Sequence, residues 1–593
     1  MQSVSLLYKK IAQGLRAKLS RAQYILFVAT LVGLVSGLVS VLLKILVHKL
    51  QQLIETGNYS KFSFLFFPLL GLLITVFIIK NFFNGYIEKG IAMVLKAIAR
   101  KSSYIPANHS FLHVLTSSVT VGFGGSAGLE APIVATGSAI GSNLSRISDL
   151  NYQERTLLIA CGAAAGISAV FNAPIAGVIF AVEVLLAETL VSYFIPLITA
   201  SVIGVLCSKI ILHEELLFNF ILKQNFNYEN VPFYILLGIL TGFISLYYAR
   251  VFKKTEKFLQ GAGISIYLKA ITGGILLAAI YFVLPPLFGE GYDSVKTVAN
   301  NSLDSFTDNT TFFSKIDYQW GIVLFAGLIV LLKPVAAGIT IGSGGNGGNF
   351  APSLFTGAYA GFMFSKLLNN TPWFKIPIGN FSLAGMAGVL SGVMYCPLTA
   401  VFLIAEITNG YELFIPLMIV SSISFFIVKS YEPFSMETKK LAMEGQIFTH
   451  KKEKNILTSI DLADMLQDQY ESICIDKKLK DLVEVIKLSE KHIFAVHDTK
   501  GRFAGIIELN DIKNKLFQTE QFDKVTIRSV MKKPAAVLGI NTDMHTVMEK
   551  FDITHSWYLP VLNKEKQFLG FVSKTKLFNK YRQFLSANED LHE

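Results

Sequence analysis

The stretch Gly124-Gly-Ser-Ala-Gly-Leu-Glu-Ala-Pro-Ile-Val-Ala-Thr-Gly-Ser-Ala-Ile-Gly141 returns later in the chain. It reappears as Gly344-Gly-Asn-Gly-Gly-Asn-Phe-Ala-Pro-Ser-Leu-Phe-Thr-Gly-Ala-Tyr-Ala-Gly361, with 8 of 18 positions identical. Both copies are apolar, yet both are crowded with glycine and carry a proline. In a helix interior each Gly costs about 1 kcal/mol and each Pro about 3 relative to Ala, so neither copy reads as an unbroken helix. A second pair follows at nearly the same offset. Asn172-Ala-Pro-Ile-Ala-Gly-Val-Ile-Phe-Ala-Val-Glu183 matches Tyr395-Cys-Pro-Leu-Thr-Ala-Val-Phe-Leu-Ile-Ala-Glu406, and Phe194-Ile-Pro-Leu197 then matches Phe414-Ile-Pro-Leu417. Glycine-rich packing alone does not account for Ala-Pro, Thr and a later Pro and Glu recurring at one spacing.

Around these copies the chain is membrane-like. Of 593 residues, 52% are hydrophobic and 16% charged, where a soluble globular protein carries about 25% charged residues. The charge is uneven: Met1–Lys440 holds 30 Lys/Arg and 20 Asp/Glu, and Leu441–Glu593 holds 23 and 22. The first part is an apolar body and the second an ordinary polar domain. A single globular core, a disordered chain and a disulfide scaffold are excluded. The four cysteines (Cys161, Cys207, Cys396 and Cys474) are scattered, with no metal-binding pair. Tyr24–Val47, Phe62–Ile79, Phe233–Ala249, Ile271–Phe288 and the neighbourhood of Gly321–Leu332 approach the roughly 20 residues a helix needs to cross a bilayer. Lys9, Lys10, Arg16, Lys18 and Arg21 precede the first span with no acid among them, which predicts a cytoplasmic N-terminus. The basic excess is thereby read as topology and not as nucleic-acid binding.

A duplicated membrane unit with a break in each half is a transporter or channel pattern, with its site where half-helix ends meet near the midplane. A half-helix start aims unpaired backbone N–H groups, carrying about +0.5 charge, at whatever lies before it. In Gly348-Asn-Phe-Ala-Pro352 the proline sits where a first-turn N–H would go unused, so the N–H groups of Asn349 and Phe350 are candidates to hold an anion. Glu130 stands where the second copy has Phe350. An acid at membrane depth is costly and points to function. Its carboxylate could occupy the anion site and leave on protonation, or it could simply cap its own helix.

At these residues the sequence resembles the CLC family of chloride channels and proton/chloride exchangers. Gly128-Leu-Glu-Ala-Pro132 is similar to that family's G-[KR]-E-G-P motif, departing at Leu129 and Ala131, and Gly348-Asn-Phe-Ala-Pro352 fits its G-x-F-x-P motif. The likeness covers Ala22–Gly445. It implies an all-α polytopic membrane protein of about 18 helices with inverted repeats (about 23–215 and 230–430), a homodimer in the plasma or inner membrane, and one chloride pathway per subunit. It further implies that Glu130 is the gate and that backbone groups around Gly128, Gly348, Asn349 and Phe350 bind chloride. No cofactor or catalytic set is implied. Three departures follow. Lys89 falls where the family has a chloride-contacting serine, and either attracts anions or snorkels as a solvated charge. Glu437 falls nearest the family's pore tyrosine. After Glu183, Val184 stands where many exchangers carry a second glutamate as the inner proton station, which favours a channel over an exchanger; Glu188, one turn on, is a possible substitute. From another class, a cation-coupled solute transporter stays open.

The charge shift near Lys440 marks a boundary. Expected here are an N-terminal segment 1–22, a membrane domain 23–445 and a linker 446–455. In the tail, Val496-His-Asp-Thr-Lys-Gly-Arg-Phe-Ala-Gly505 aligns with Val561-Leu-Asn-Lys-Glu-Lys-Gln-Phe-Leu-Gly570. Each copy reads as strand, charged turn, strand and helix. The pair resembles two cystathionine-β-synthase-type (CBS) domains, 456–518 and 524–585, in cytoplasmic α/β form. Such pairs commonly take an adenine nucleotide; Asp511 occupies the ribose-binding position in copy one, and Lys576 replaces it in copy two. A dimerisation role is the alternative. His109 and His113 have the i, i+4 spacing of a metal pair but lack the accompanying glutamate.

Overall fold

Seven helices among the described residues are long and apolar enough to cross a bilayer. The computed structural model describes residues 14, 16, 18–56, 63–83, 90–100, 103–186, 194–212, 226–300, 318–408, 411–443, 462–466, 470–489, 491–563 and 565–580. They form two compact units, one of 1–98 with 103–449 and one of 99–102 with 450–593.

The first unit is helical. Its first half runs through α1 (Arg21–Thr56), α2 (Phe67–Phe82), α3 (Gly90–Arg100), α4 (His109–Gly122), α5 (Glu130–Ile147), α6 (Tyr152–Phe171), α7 (Pro174–Phe180) and α8 (Phe194–Leu212). The second half runs through α9 (Val231–Gly261), α10 (Ile266–Val283), α11 (Tyr292–Ala299), α12 (Tyr318–Gly342), α13 (Phe350–Asn369), α14 (Ile378–Met394), α15 (Pro397–Ile407) and α16 (Phe414–Tyr431). Both glycine-rich stretches are broken: α4 stops at Gly122 and α5 starts at Glu130, as α12 stops at Gly342 and α13 starts at Phe350. Packing repeats with the sequence, α5 lying on α6 as α13 lies on α14. The span expected over Ile271–Phe288 is instead Ile266–Val283, because Pro285 and Pro286 follow and disfavour helix at the residue before them.

Local chemistry fixes several ends. Asn151 caps α6 by accepting from the N–H of Glu154 (2.9 Å), and the Glu154 carboxylate returns to the N–H of Asn151 (2.9 Å). The same carboxylate takes Arg21 Nε at 2.6 Å, tying the start of α1 to this cap. α6 and α14 both end on a left-handed residue, Asn172 (φ 54°) and Tyr395 (φ 60°), and a proline opens the next helix two residues later.

The second unit holds two three-stranded sheets. In one, β1 (Ser472–Cys474) runs parallel to β2 (Ile493–His497), which is antiparallel to β3 (Phe503–Glu508). In the other, β4 (Leu538–Gly539), β5 (Tyr558–Leu562) and β6 (Phe568–Ser573) repeat that order. Even the irregularity repeats, falling between Val496 and His497 and between Val561 and Leu562. Equivalent rings meet where the copies join: Phe503 and Phe568 stack with centroids 5.8 Å apart.

Candidate functional site

The two breaks meet. Gly128 and Gly348 form an antiparallel bridge, the N–H of Gly128 donating to Gly348 O at 2.9 Å and that of Gly348 to Gly128 O at 2.8 Å. Each must be glycine: a Cβ on Gly348 would lie 2.6 Å from Ala131 Cβ, and one on Gly128 would fall on the Glu130 carboxylate and 2.9 Å from Ala351 Cβ. Flanking bonds cross in the same reciprocal way. The N–H of Ser126 donates to Thr340 Oγ1 and that of Asn346 to Thr120 Oγ1, both at 3.1 Å. Two half-helices, α5 and α13, therefore start from one point with their N-termini converging on it.

Glu130 is the first residue of α5 and is 1% exposed. The N-cap residue Leu129 makes no side-chain cap bond, and the Glu130 carboxylate lies against the N–H of its own residue at the start of α5. It also reaches to the other half, where Oε2 accepts from the N–H of Ala351 at 3.4 Å. This is longer than the 2.7–3.2 Å typical of N–H···O bonds, so that single contact is weak. Oε1 accepts the Tyr292 hydroxyl at 2.6 Å. A backbone end that seats a carboxylate oxygen has the polarity to seat a halide. Among the described residues, neither Asn349 nor Phe350 donates its backbone N–H to a protein acceptor. The Phe350 ring is buried against Phe171 (5.6 Å) and Phe180 (6.3 Å). The Asn349 side chain accepts the fully buried Tyr248 hydroxyl at 3.2 Å.

Glu437 is half-buried, within electrostatic reach of Tyr248 and Lys253. A tyrosine hydroxyl thus stands beside the second break, supplied by α9. Glu183 and Val184 lie in a π-helical turn (Ala181–Leu185) after α7. Glu183 is engaged elsewhere, its oxygens accepting the N–H groups of Leu398 (3.1 Å) and Thr399 (2.8 Å) at the start of α15. Glu406 returns the contact, accepting those of Ile175 (3.0 Å) and Ala176 (2.8 Å) at the start of α7. Val184 is partly buried against the core. Lys89 and Glu188 lie outside the described residues. His109 and His113 hydrogen-bond each other at 3.1 Å, and His113 also meets the Asn346 amide at 3.2 Å.

A cavity of about 970 Å³ opens where α9 and α16 end. Arg250, Lys253, Lys257, Lys269 and Lys439 line it, with Glu256 and Glu432 as the acids. Glu432 binds Lys439 at 2.5 Å and Arg250 at 3.3 Å. The Lys439 hydrogen bond above all, joined by Arg250, holds the Glu432 carboxyl below the usual range. In the second unit, Asp511 pairs with Lys532 at 2.7 Å, as does Glu508 at 3.1 Å. Lys576 instead donates to Leu466 O at 3.0 Å.

A helical unit with two breaks whose glycines bridge each other has the pattern of a broken-helix membrane transport protein. The profile of the voltage gated chloride channel family matches residues 71–429, and that of the CBS domain matches 527–582. The chain belongs to the voltage gated chloride channel (CLC) family and carries a C-terminal CBS pair. It is 28% identical over 441 residues to the H(+)/Cl(-) exchange transporter ClcA of Yersinia pestis, covering 69% of this chain and 87% of that one. It is also 28% identical over 433 residues to chloride channel protein CLC-e of Arabidopsis thaliana, covering 68% and 58%. The structure superposes on that of a slow cyanobacterial Cl-/H+ antiporter with a TM-score of 0.60 at 20% identity, covering 71% of this chain and 97% of that one.

Proposed function

We propose that this protein passes chloride across a membrane, with Glu130 as a gate that protonation releases. The observation that carries this is the seat of the Glu130 carboxylate on the N–H of Ala351, at the mouth of α13. On protonation the carboxyl loses its charge and with it most of its attraction to the electropositive helix end. A chloride ion then takes the same seat, held by the N–H groups of Asn349, Phe350 and Ala351. Dipoles without an opposing fixed cation bind weakly enough for release. The basic cavity supplies the inner mouth, and Tyr248 the hydroxyl that the family's pore tyrosine would have given. Glu437, close to Tyr248 and Lys253, sits at the same inner approach.

The pathway is read as channel-like. Val184 carries no proton, and Glu183 serves to hold α15. The N- and C-termini are cytoplasmic, and the functional unit is a homodimer in the bilayer. Proton-coupled exchange is the second reading, favoured by the likeness to ClcA. Current through purified protein in liposomes, under opposed chloride and pH gradients, separates the two. Reversal at the chloride potential at every pH supports the channel; a reversal potential that follows the pH gradient supports exchange. Absence of halide flux would overturn both.

At the CBS pair, an adenine nucleotide that uses Asp511 must first displace Lys532. Partial burial works against the Lys532 charge, but its bonds to Asp511 and Glu508 outweigh that and hold it above its ordinary value. Calorimetric titration of the full chain with ATP, with Asp511→Asn beside it, tests this role against simple dimerisation.

A further inference from the structure

Glu290 is an acid that the gate as described does not use. It lies in the turn between α10 and α11, flanked by Gly289 and Gly291 in left-handed conformation (φ 63° and 85°). The turn is at the far end of α1 from the basic N-terminal segment, since a Cβ on Gly289 would stand 3.9 Å from Gln51 Nε2. Glu290 is half-buried, and the N–H of Leu129, one residue before the gate, bonds its carboxylate. Three charged groups act on it from the surrounding elements: Glu130 of α5, Lys44 of α1 and Lys333 of α12. Lys333 is 0% exposed. Its ammonium donates to the carbonyls of Leu287 (3.4 Å) and Gly289 (3.1 Å) and lies 4.4 Å from the Phe355 ring centroid. Two residues past Glu290, Tyr292 holds Glu130 Oε1. One short turn, anchored by a buried cation, thus places an acid beside the gate and a hydroxyl upon it.

We propose that Glu290 is the outer proton acceptor of the gate. Glu130 is 1% exposed, whereas Glu290 is half-buried and lies in the turn that leads into α11. A proton from the outer solution protonates the Glu290 carboxylate and passes to Glu130. Glu290 becomes anionic again and Glu130 neutral, so one proton moves and no charge is created. Two nearby carboxylates resist being ionised together, so a proton taken up at Glu290 is readily shared with Glu130. Glu290 thereby sets the pH at which the gate opens and the rate at which it responds.

This inference rests on the gate reading of Glu130, and the test separates the two. Halide efflux from liposomes holding the full-length protein is followed against external pH, and after a pH jump, for the wild type, Glu290→Gln, Glu130→Gln and the double variant. Glu290→Gln moves the half-activation pH downward by about one unit, because the neighbouring negative charge is gone. It also slows activation after the jump by about 10²-fold or more, in line with the loss of a positioned proton-transfer group. The double variant matches Glu130→Gln. A Glu290→Gln midpoint and activation rate equal to wild type, with Glu130→Gln flat in pH, overturns the role of Glu290 and leaves the gate standing. A Glu130→Gln profile that still titrates like wild type sinks the gate itself. If Glu290→Gln does not fold, Glu290→Asp and Glu290→Ser replace it: aspartate keeps the wild-type midpoint and serine lowers it, and identical midpoints overturn the proposal.

Discussion

The two breaks share a backbone and differ in one side chain. Gly128 and Gly348 bridge each other, Ser126 and Asn346 exchange threonine partners, and Glu183 and Glu406 exchange helix ends. Against that symmetry, α5 starts with Glu130 and α13 with Phe350. The duplicated backbone supplies two electropositive ends, and the acid at the start of α5 reaches across to the N–H of Ala351 in α13. Symmetry builds the two ends, and one side chain departs from it.

The harshest way to break the comparison is to deny the bridge its space. Gly348→Val forces a branched side chain against Ala131 and costs at least about 1–3 kcal/mol by overpacking; loss of folded, detergent-stable protein in size-exclusion chromatography is the expected outcome. Next comes the asymmetry. Glu130→Gln imitates the protonated gate, so flux at neutral pH rises about tenfold or more and its pH dependence disappears, as liposome efflux would record. The reciprocal caps then test how equal the halves are. Glu183→Gln weakens three charge-assisted bonds, one of them from the Thr399 hydroxyl, and Glu406→Gln two, for about 1–3 kcal/mol apiece, and a thermal unfolding series should find the Glu183 loss the larger.

The smallest effect concerns Glu432. A carboxyl held below its usual range contributes stability above its unfolded value, and that contribution is lost as pH falls through the depressed one. Thermal stability of the wild type should therefore drop on acidification below the ordinary carboxylate range, and Glu432→Gln should flatten that limb. The pair is solvent-screened, so only a slight change is expected.

The breaks were legible because glycine and proline act locally, and a repeated local anomaly survives in one dimension. Glu130 stood out for the same reason, as an acid in apolar sequence. Its partners were not legible. Tyr292 and Glu290 come from a turn far along the chain, and nothing in Gly289–Tyr292 marks it as facing Gly128–Glu130. Tyr248 reads in sequence as one more aromatic of a membrane helix. Lys333 interrupts an apolar run and was a visible signal, since a cation there demands acceptors. The family motif pointed to the N–H groups of Asn349 and Phe350, but the carboxylate itself chose Ala351, one residue further, because its reach from α5 sets the contact. The pairing of Glu183 with α15 needed the second half of the molecule to become visible.

Where duplicated transporters rock one half against the other around a fixed centre, that centre must be free to shear. Here the pivot is sewn shut, with main chain bonded to main chain and threonines crossing in both directions. Any such swing would tear several bonds at once. The crossed main-chain and threonine bonds tie the two halves together at the breaks, and any swing about that point has to break them together.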